Sequence, residues 1–329
     1  MDDVFVRAPA RTGTRFPTVN VALFAATAAT TLLSGWVMAG APGAGDLLAR
    51  ETLLAIATTG LPFAAALLGI LFAHEMGHYV LARRYRVDVT LPFFIPFLPW
   101  GFGGIGTLGA VIRIRSRMPS RRAVLDIGAA GPIAGFVVAL PLLLWGYAHS
   151  TSIEAVDVGI RSPLQYLLDT IRGGVAAPEA AGGAITYVFG DSLVSWAALH
   201  LTHPNLPPDA TLNAHPVAIA ATLGLLVTAL NLFPVGQLDG GHVTYALLGR
   251  DRARRLSSVV SWGLLVLGLT LSYGWFVWWL LTRFLVGTRH PPAAVEEPLS
   301  PGRRALAIAS LVLFVVTFAP IPLRAGIVP

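Results

Sequence analysis

From Thr52 to Ala82 the chain is almost wholly apolar, yet near the end of this run stand two histidines and a glutamate: residues 68–84 read LGILFAHEMGHYVLARR. A spanning helix needs about 20 mostly apolar residues, so the run is long enough to cross a bilayer. Inside hydrocarbon every backbone N–H and C=O must find its partner within the protein, which restricts a spanning segment to a helix or a closed barrel. Ionisable side chains at that depth are costly and tend to be functional. The run thus predicts a helical fold and raises a chemical question about His74, Glu75 and His78.

Further apolar stretches lie at about 18–40, 122–148, 214–236, 256–286 and 303–321. Only 12% of the 329 residues are charged and 55% are hydrophobic, against about 25% charged in a soluble domain. The expected class is an all-α polytopic membrane protein with about six or seven transmembrane helices. Residues 256–286 would form a helix of about 45 Å at 1.5 Å per residue, too long for one crossing of a 30 Å core. Ser272, Tyr273 and Gly274 offer a turn in its middle, so two short helices are expected there.

Charge sets the expected sidedness, because cytoplasmic loops are enriched in arginine. All 23 basic residues are arginine, for a net charge of +6. Residues 83–122 carry eight of them against one acid, Asp88, and read as cytoplasmic. Residues 149–213 carry Arg161 and Arg172 against six acids and read as extracytoplasmic. Arg250 to Arg255 return inside, and the 256–286 hairpin keeps Arg289, Arg303 and Arg304 inside as well. The expected organisation is a cytoplasmic tail over 1–17 and a membrane core over 18–286 with the external loop 149–213. A cytoplasmic linker over 287–302 and a last helix and tail over 303–329 follow. The N-terminus is then cytoplasmic, in a bacterial cytoplasmic membrane. The run after Arg7, Arg11 and Arg15 does not read as a signal peptide, and a nucleic-acid partner is not expected.

Two regions resist a helical reading. Residues 91–116 are apolar but hold three prolines and five glycines, and end in apolar/Arg alternation, which predicts a re-entrant or interfacial segment with strand character. Residues 149–213 predict short helices near 162–172 and 190–200.

Residues four apart share a helix face, so His74 and His78 can present two imidazoles to one metal ion, with Glu75 beside them to act on water. The chain has no cysteine, so the metal must be held by nitrogen and oxygen, which suits Zn2+. A catalytic zinc takes three protein ligands and keeps one position open. Asp239, in the stretch NLFPVGQLDGGH over 231–242, is the expected third. It precedes Arg250 by eleven residues, which places it at a depth similar to His74. Glu75 is the expected general base and then the proton donor to the leaving amine. Asn231 and Pro234 should interrupt the helix ahead of Asp239, leaving the Asn231 amide to bind substrate or a developing oxyanion.

The pieces HEMGHY and NLFPVGQLDGG together resemble the site-2 protease family of intramembrane zinc metalloproteases. GGIGTLGAVIRIRS followed by DIGAAGPIAGF resembles the segment between those motifs in the bacterial and plastid branches. The resemblance covers about 71–135 and 213–249. It implies cleavage of a membrane-embedded substrate helix, with a single-span protein as partner, His74, His78 and Asp239 as zinc ligands, Glu75 as base and Asn231 as the family's asparagine. No PDZ or CBS accessory domain is visible, which separates this chain from the usual substrate-gating arrangement.

Since a helical peptide bond must unwind before hydrolysis, the strand-like segment 103–115 is expected to receive the unwound substrate as an added strand. Other residues take plainer readings. Gly131 and Gly135 suit close helix packing, and Asp126 a helix start. His149, His200, His203 and His290 read as solvated, and His215 as remote. His242 is the one further histidine that could reach the site. Trp275, Trp278 and Trp279 read as an interfacial belt. The competing functions are a divalent-metal transporter and a catalytically inactive scaffold.

Overall fold

The computed structural model describes residues 17–41, 49–98, 104–154, 168, 184–207 and 210–328. Three helices among them are long and apolar enough to cross a membrane: α1 (Thr18–Met38), α2 (Arg50–Arg84) and α3 (Arg121–Ala148). Each matches an expected apolar run. The start of α3 is set by Ser120, whose hydroxyl accepts from the Ala123 N–H and so satisfies one of the orphan donors of the first turn.

Between α2 and α3 the Gly/Pro-rich segment forms an antiparallel hairpin, β1 (Phe93–Pro96) with β2 (Thr107–Val111), bulged between Phe94 and Pro96. Its glycines and prolines disfavour a helix. The backbone groups this leaves exposed are met partly by the neighbouring helix: Thr30 Oγ1 donates to Gly106 O at 2.6 Å and Ser34 Oγ to Gly104 O at 3.1 Å. Beyond β2 the ladder continues, with the Thr90 N–H on Arg113 O at 3.1 Å and the Arg115 N–H on Asp88 O at 2.8 Å. The expected strand character is present.

After α3 come β3 (Thr151–Glu154), β4 (Ala184–Phe189), α4 (Leu193–Thr202) and β5 (Ala210–Asn213), with β3 paired to β5. The helix expected near 190–200 is α4. The one expected near 162–172 lies outside the described residues, Leu168 apart. Helix α5 (Pro216–Asn231) stops short of the expected 236. Pro234 explains this: it has no N–H to donate and disfavours helical backbone at the residue before it. A turn over 232–238 leads into α6 (Asp239–Leu248) and then α7 (Arg250–Thr270). The chain reverses at Ser272 into α8 (Tyr273–Leu280), which runs on as a π-helical Leu281–Val286. Trp262 and Trp279 meet across this hairpin with ring centroids 6.3 Å apart. Helix α9 (Pro301–Thr317) and β6 (Leu323–Val328) complete the chain, β6 pairing with β4.

Contacts sort these connections into two groups. The segment 288–300 is strapped to the arginine-rich start of α3. Arg117 donates to Ala293 O at 3.0 Å, the Arg121 N–H to Val295 O at 3.0 Å, and Arg122 pairs with Glu297. Away from it, the His215 N–H donates to Ser150 Oγ at 2.9 Å, and β6 joins β4. The core sits among α2, α3 and α5, where Phe63, Leu67, Ile70, Leu143 and Leu225 are buried. Lipid tails are as apolar as these side chains, so what holds them is close packing.

Two expectations are corrected here. Trp275 is buried, not in an interfacial belt; its indole N–H donates to Pro320 O at 2.7 Å and its ring lies against Phe233 and Phe318. Asp126 is not a dipole partner at a helix start but an ion-pair partner inside α3. Arg303 of α9 donates to it from Nε and Nη2, the latter at 2.9 Å, and the Tyr85 hydroxyl bonds the same carboxylate.

Candidate metal centre

His74 and His78 are one turn apart on α2, on the face that packs against α3. Both are buried. Asp239 is the first residue of α6, so its carboxylate stands at a helix N-terminus, where negative charge is favoured. The turn ahead of it is tight: a Cβ on Gly240 would lie 1.9 Å from Leu232 O, a separation only glycine permits. That close approach brings Asp239 back under the end of α5 and toward α2.

The three ligand atoms form a nearly equilateral triangle. His74 Nε2 lies 3.2 Å from His78 Nε2 and 3.3 Å from Asp239 Oδ2, and His78 Nε2 lies 3.2 Å from Asp239 Oδ2. Bonds of about 2.0–2.1 Å in a tetrahedron put neighbouring ligand atoms about 3.3 Å apart. The triangle therefore has the size of one face of a tetrahedral zinc site. Among the described residues, His74, His78 and Asp239 are the cluster of three metal-ligating side chains with ligand atoms within 4.8 Å of one another. His78 is oriented from behind, its Nδ1 lying 2.7 Å from Ile127 O. A proton on Nδ1 donated to that carbonyl leaves Nε2 as a lone-pair donor, the usual support for a metal-binding imidazole.

Glu75 is also buried, next to His74 on α2 and near the Ile112 backbone N–H. Asn231, the last residue of α5, places Nδ2 3.3 Å from His74 Nε2. All five expected site residues are thus gathered in one place.

Two features were read too plainly in the sequence. Gly131 and Gly135 do allow close packing, but what packs on them is the site itself. A Cβ on Gly131 would lie 2.0 Å from His78 Nε2, and one on Gly135 would lie 3.3 Å from His74 Nδ1. The small-residue spacing showed that something approaches; only the fold shows what. His290 is half-buried rather than solvated: its Nε2 lies 2.6 Å from His242 Nδ1 and its ring stacks on Tyr245 at 4.1 Å. His242 is accordingly turned to His290 and is not one of the three clustered ligands.

The sequence profile of peptidase family M50 matches residues 62–272. The chain is 30% identical over 274 residues to the probable zinc metalloprotease EGY1, chloroplastic, of Arabidopsis thaliana, covering 82% of this chain and 45% of that protein. Identity to the probable zinc metalloprotease EGY2, chloroplastic, of the same plant is 31% over 278 residues, 84% of this chain and 44% of the relative. A rice relative, the probable zinc metalloprotease EGY3, chloroplastic, of Oryza sativa subsp. indica, is 27% identical over 265 residues, 79% of this chain and 42% of the relative. The chain spans less than half the length of these relatives. No solved structure matches it. The profile covers most of the chain, and its span contains all three clustered ligands: the chain belongs to peptidase family M50, the site-2 protease family.

Proposed function

We propose that this chain is an intramembrane zinc metalloprotease that hydrolyses a peptide bond within or near a transmembrane helix of a single-span substrate. The observation that carries the reading is the buried His74, His78 and Asp239 triangle with Glu75 beside it, in a chain rich in membrane-length helices. The names of the relatives supply the metal. Zinc held by those three side chains would act as a Lewis acid on the scissile carbonyl and make water acidic enough to attack near neutral pH.

The protein residues do the rest. Glu75 takes the proton from the attacking water and returns it to the departing amine. The Asn231 amide donates to the carbonyl oxygen as that oxygen gains charge. His78 keeps its Nε2 free because Ile127 O holds its Nδ1. The unwound substrate lies along the open edge of β2. The peptide groups of Arg113 and Arg115 face the 88–90 strand, so those of Ile112 and Ile114 face the other way, and Ile112 is the residue at Glu75.

We read the bilayer arrangement as seven crossings, with the N-terminus and 287–302 cytoplasmic and 149–213 outside, in a bacterial cytoplasmic membrane. The arginine distribution and the strap from 288–300 to the start of α3 support it. Labelling of an Arg289→Cys variant from each side of the membrane tests it; modification only from outside would overturn the hairpin crossing.

The function is tested with purified protein in detergent and a single-span reporter, comparing wild type with Glu75→Gln and measuring bound zinc in both. Zinc in both with cleavage only in wild type is the expected result. Zinc in both without cleavage in either, together with zinc uptake into liposomes, would replace the protease by a transporter; no uptake would leave a scaffold.

A further inference from the structure

We propose that Arg113 and Arg115 select substrates carrying acidic residues just beyond the scissile bond on the arginine-rich side of the protein. The inference rests on the protease reading and adds a substrate class to it.

Side chains alternate across a strand. Ile112 and Ile114 pack against the buried cluster of Val87, Val89 and Met118, so Arg113 and Arg115 project from the opposite face, where both are exposed. Among the described residues neither is in an ion pair, although Arg122 and Arg303 are. The two guanidinium groups thus flank a strand edge whose outward peptide groups, at Ile112 and Ile114, have no strand on that side among the described residues. The edge is aimed at a definite place, because Ile112 is the residue beside Glu75.

A strand added there has its scissile region level with Ile112. Its next one to three residues lie level with Arg113 to Arg115, about 3–10 Å further on at about 3.3 Å per residue. Residues opposite each other on one sheet face have Cβ atoms about 5 Å apart, where opposite charges attract and like charges repel. Membrane proteins usually carry basic residues at their cytoplasmic flanks. Two unpaired arginines at this point would therefore reject most single-span proteins and admit those with an acidic flank.

The test uses reporters with one span and one cleavable segment, differing only in two flank residues: Asp, Gln or Arg. Wild type should rank them acidic, neutral, basic, with about tenfold in kcat/KM between the extremes, the size expected of two such cross-strand pairs. Arg113→Glu with Arg115→Glu should reverse the ranking, so a folded variant reports on itself. Wild type alone gives a second readout: its acidic preference should shrink as salt rises from low to about 0.5 M, because exposed charges are screened. Equal cleavage of the three reporters, or a preference indifferent to salt and to charge reversal, overturns the inference and leaves the protease standing. Cleavage of none of them by wild type overturns the protease reading, and this inference with it.

Discussion

Two stretches of non-helical backbone flank the proposed site, and they are built in opposite ways. The turn over 232–238 is closed: Phe233 and Val235 are buried, the Gly236 N–H donates to the buried Ser257 Oγ at 3.0 Å, and Gly240 sits against Leu232 O. The hairpin of β1 and β2 is open: it leans on α1 along one side, while Leu108 and Val111 are 65% and 50% exposed. Irregular backbone at membrane depth is tolerated where protein or a water-filled space satisfies it. The turn is enclosed by protein, whereas the hairpin is supported by protein only on its α1 side. The difference fits a division of labour in which the turn holds a metal ligand still and the hairpin receives a substrate.

Changes behind the metal ligands and at the closed turn should both cost function, the first by removing the metal and the second with the metal kept. Gly131→Val puts branched carbons where His78 Nε2 already stands. Bound zinc and cleavage should both fall by at least 100-fold, beyond what loss of a supporting partner of a metal ligand costs. Zinc analysis beside the reporter assay checks this, and a variant that keeps its zinc would show that His78 is held less rigidly than the comparison requires. Asn231→Leu, at the entrance to the same turn, should leave zinc in place and lower kcat by about 10²–10³, the usual cost of one oxyanion donor. A rise in KM with kcat unchanged would move Asn231 from the reacting carbonyl to general substrate binding.

Changes on the open side should spare the metal. Ile112→Pro and Ile114→Pro each remove one outward N–H, and at about 1 kcal/mol per hydrogen bond cleavage should drop roughly fivefold to tenfold with zinc unchanged. Unchanged cleavage in both variants would remove the hairpin from substrate binding and reduce the two regions to two packing solutions.

This contrast also separates what was legible beforehand from what was not. His74, Glu75 and His78 follow from helical spacing, and Asp239 from the rise per residue counted back from Arg250. The reversal near Ser272 follows from a run too long for one crossing. All are local or one-dimensional arguments. The partners of Gly131, the pairing of His242 with His290, the buried Trp275 and the Asp126 to Arg303 ion pair bring together residues 45 to 177 positions apart, or helices whose facing is set only by packing. A glycine spacing predicts that two helices approach; it carries no information about which side chain fills the gap. Likewise His290 beside Pro291 and Pro292 has the composition of a loop, and only the strap beneath α3 shows that the loop is anchored.

The smallest predicted effect probes the same comparison with one hydroxyl deleted on each side. Ser257 Oγ accepts the Gly236 N–H inside the closed turn, and Ser257 is buried. Ser257→Ala should cost about 1–3 kcal/mol of stability, the desolvation penalty of an unpaired buried N–H. Ser116 Oγ accepts the Asp88 N–H at 3.0 Å at the exposed foot of the hairpin. Water can take its place there, so Ser116→Ala should stay within about 0.5 kcal/mol of wild type. Thermal unfolding of the two variants in the same detergent compares them directly. Equal losses would mean that the turn is as accessible to water as the hairpin, and Asp239 would then owe its position to the metal more than to the fold around it.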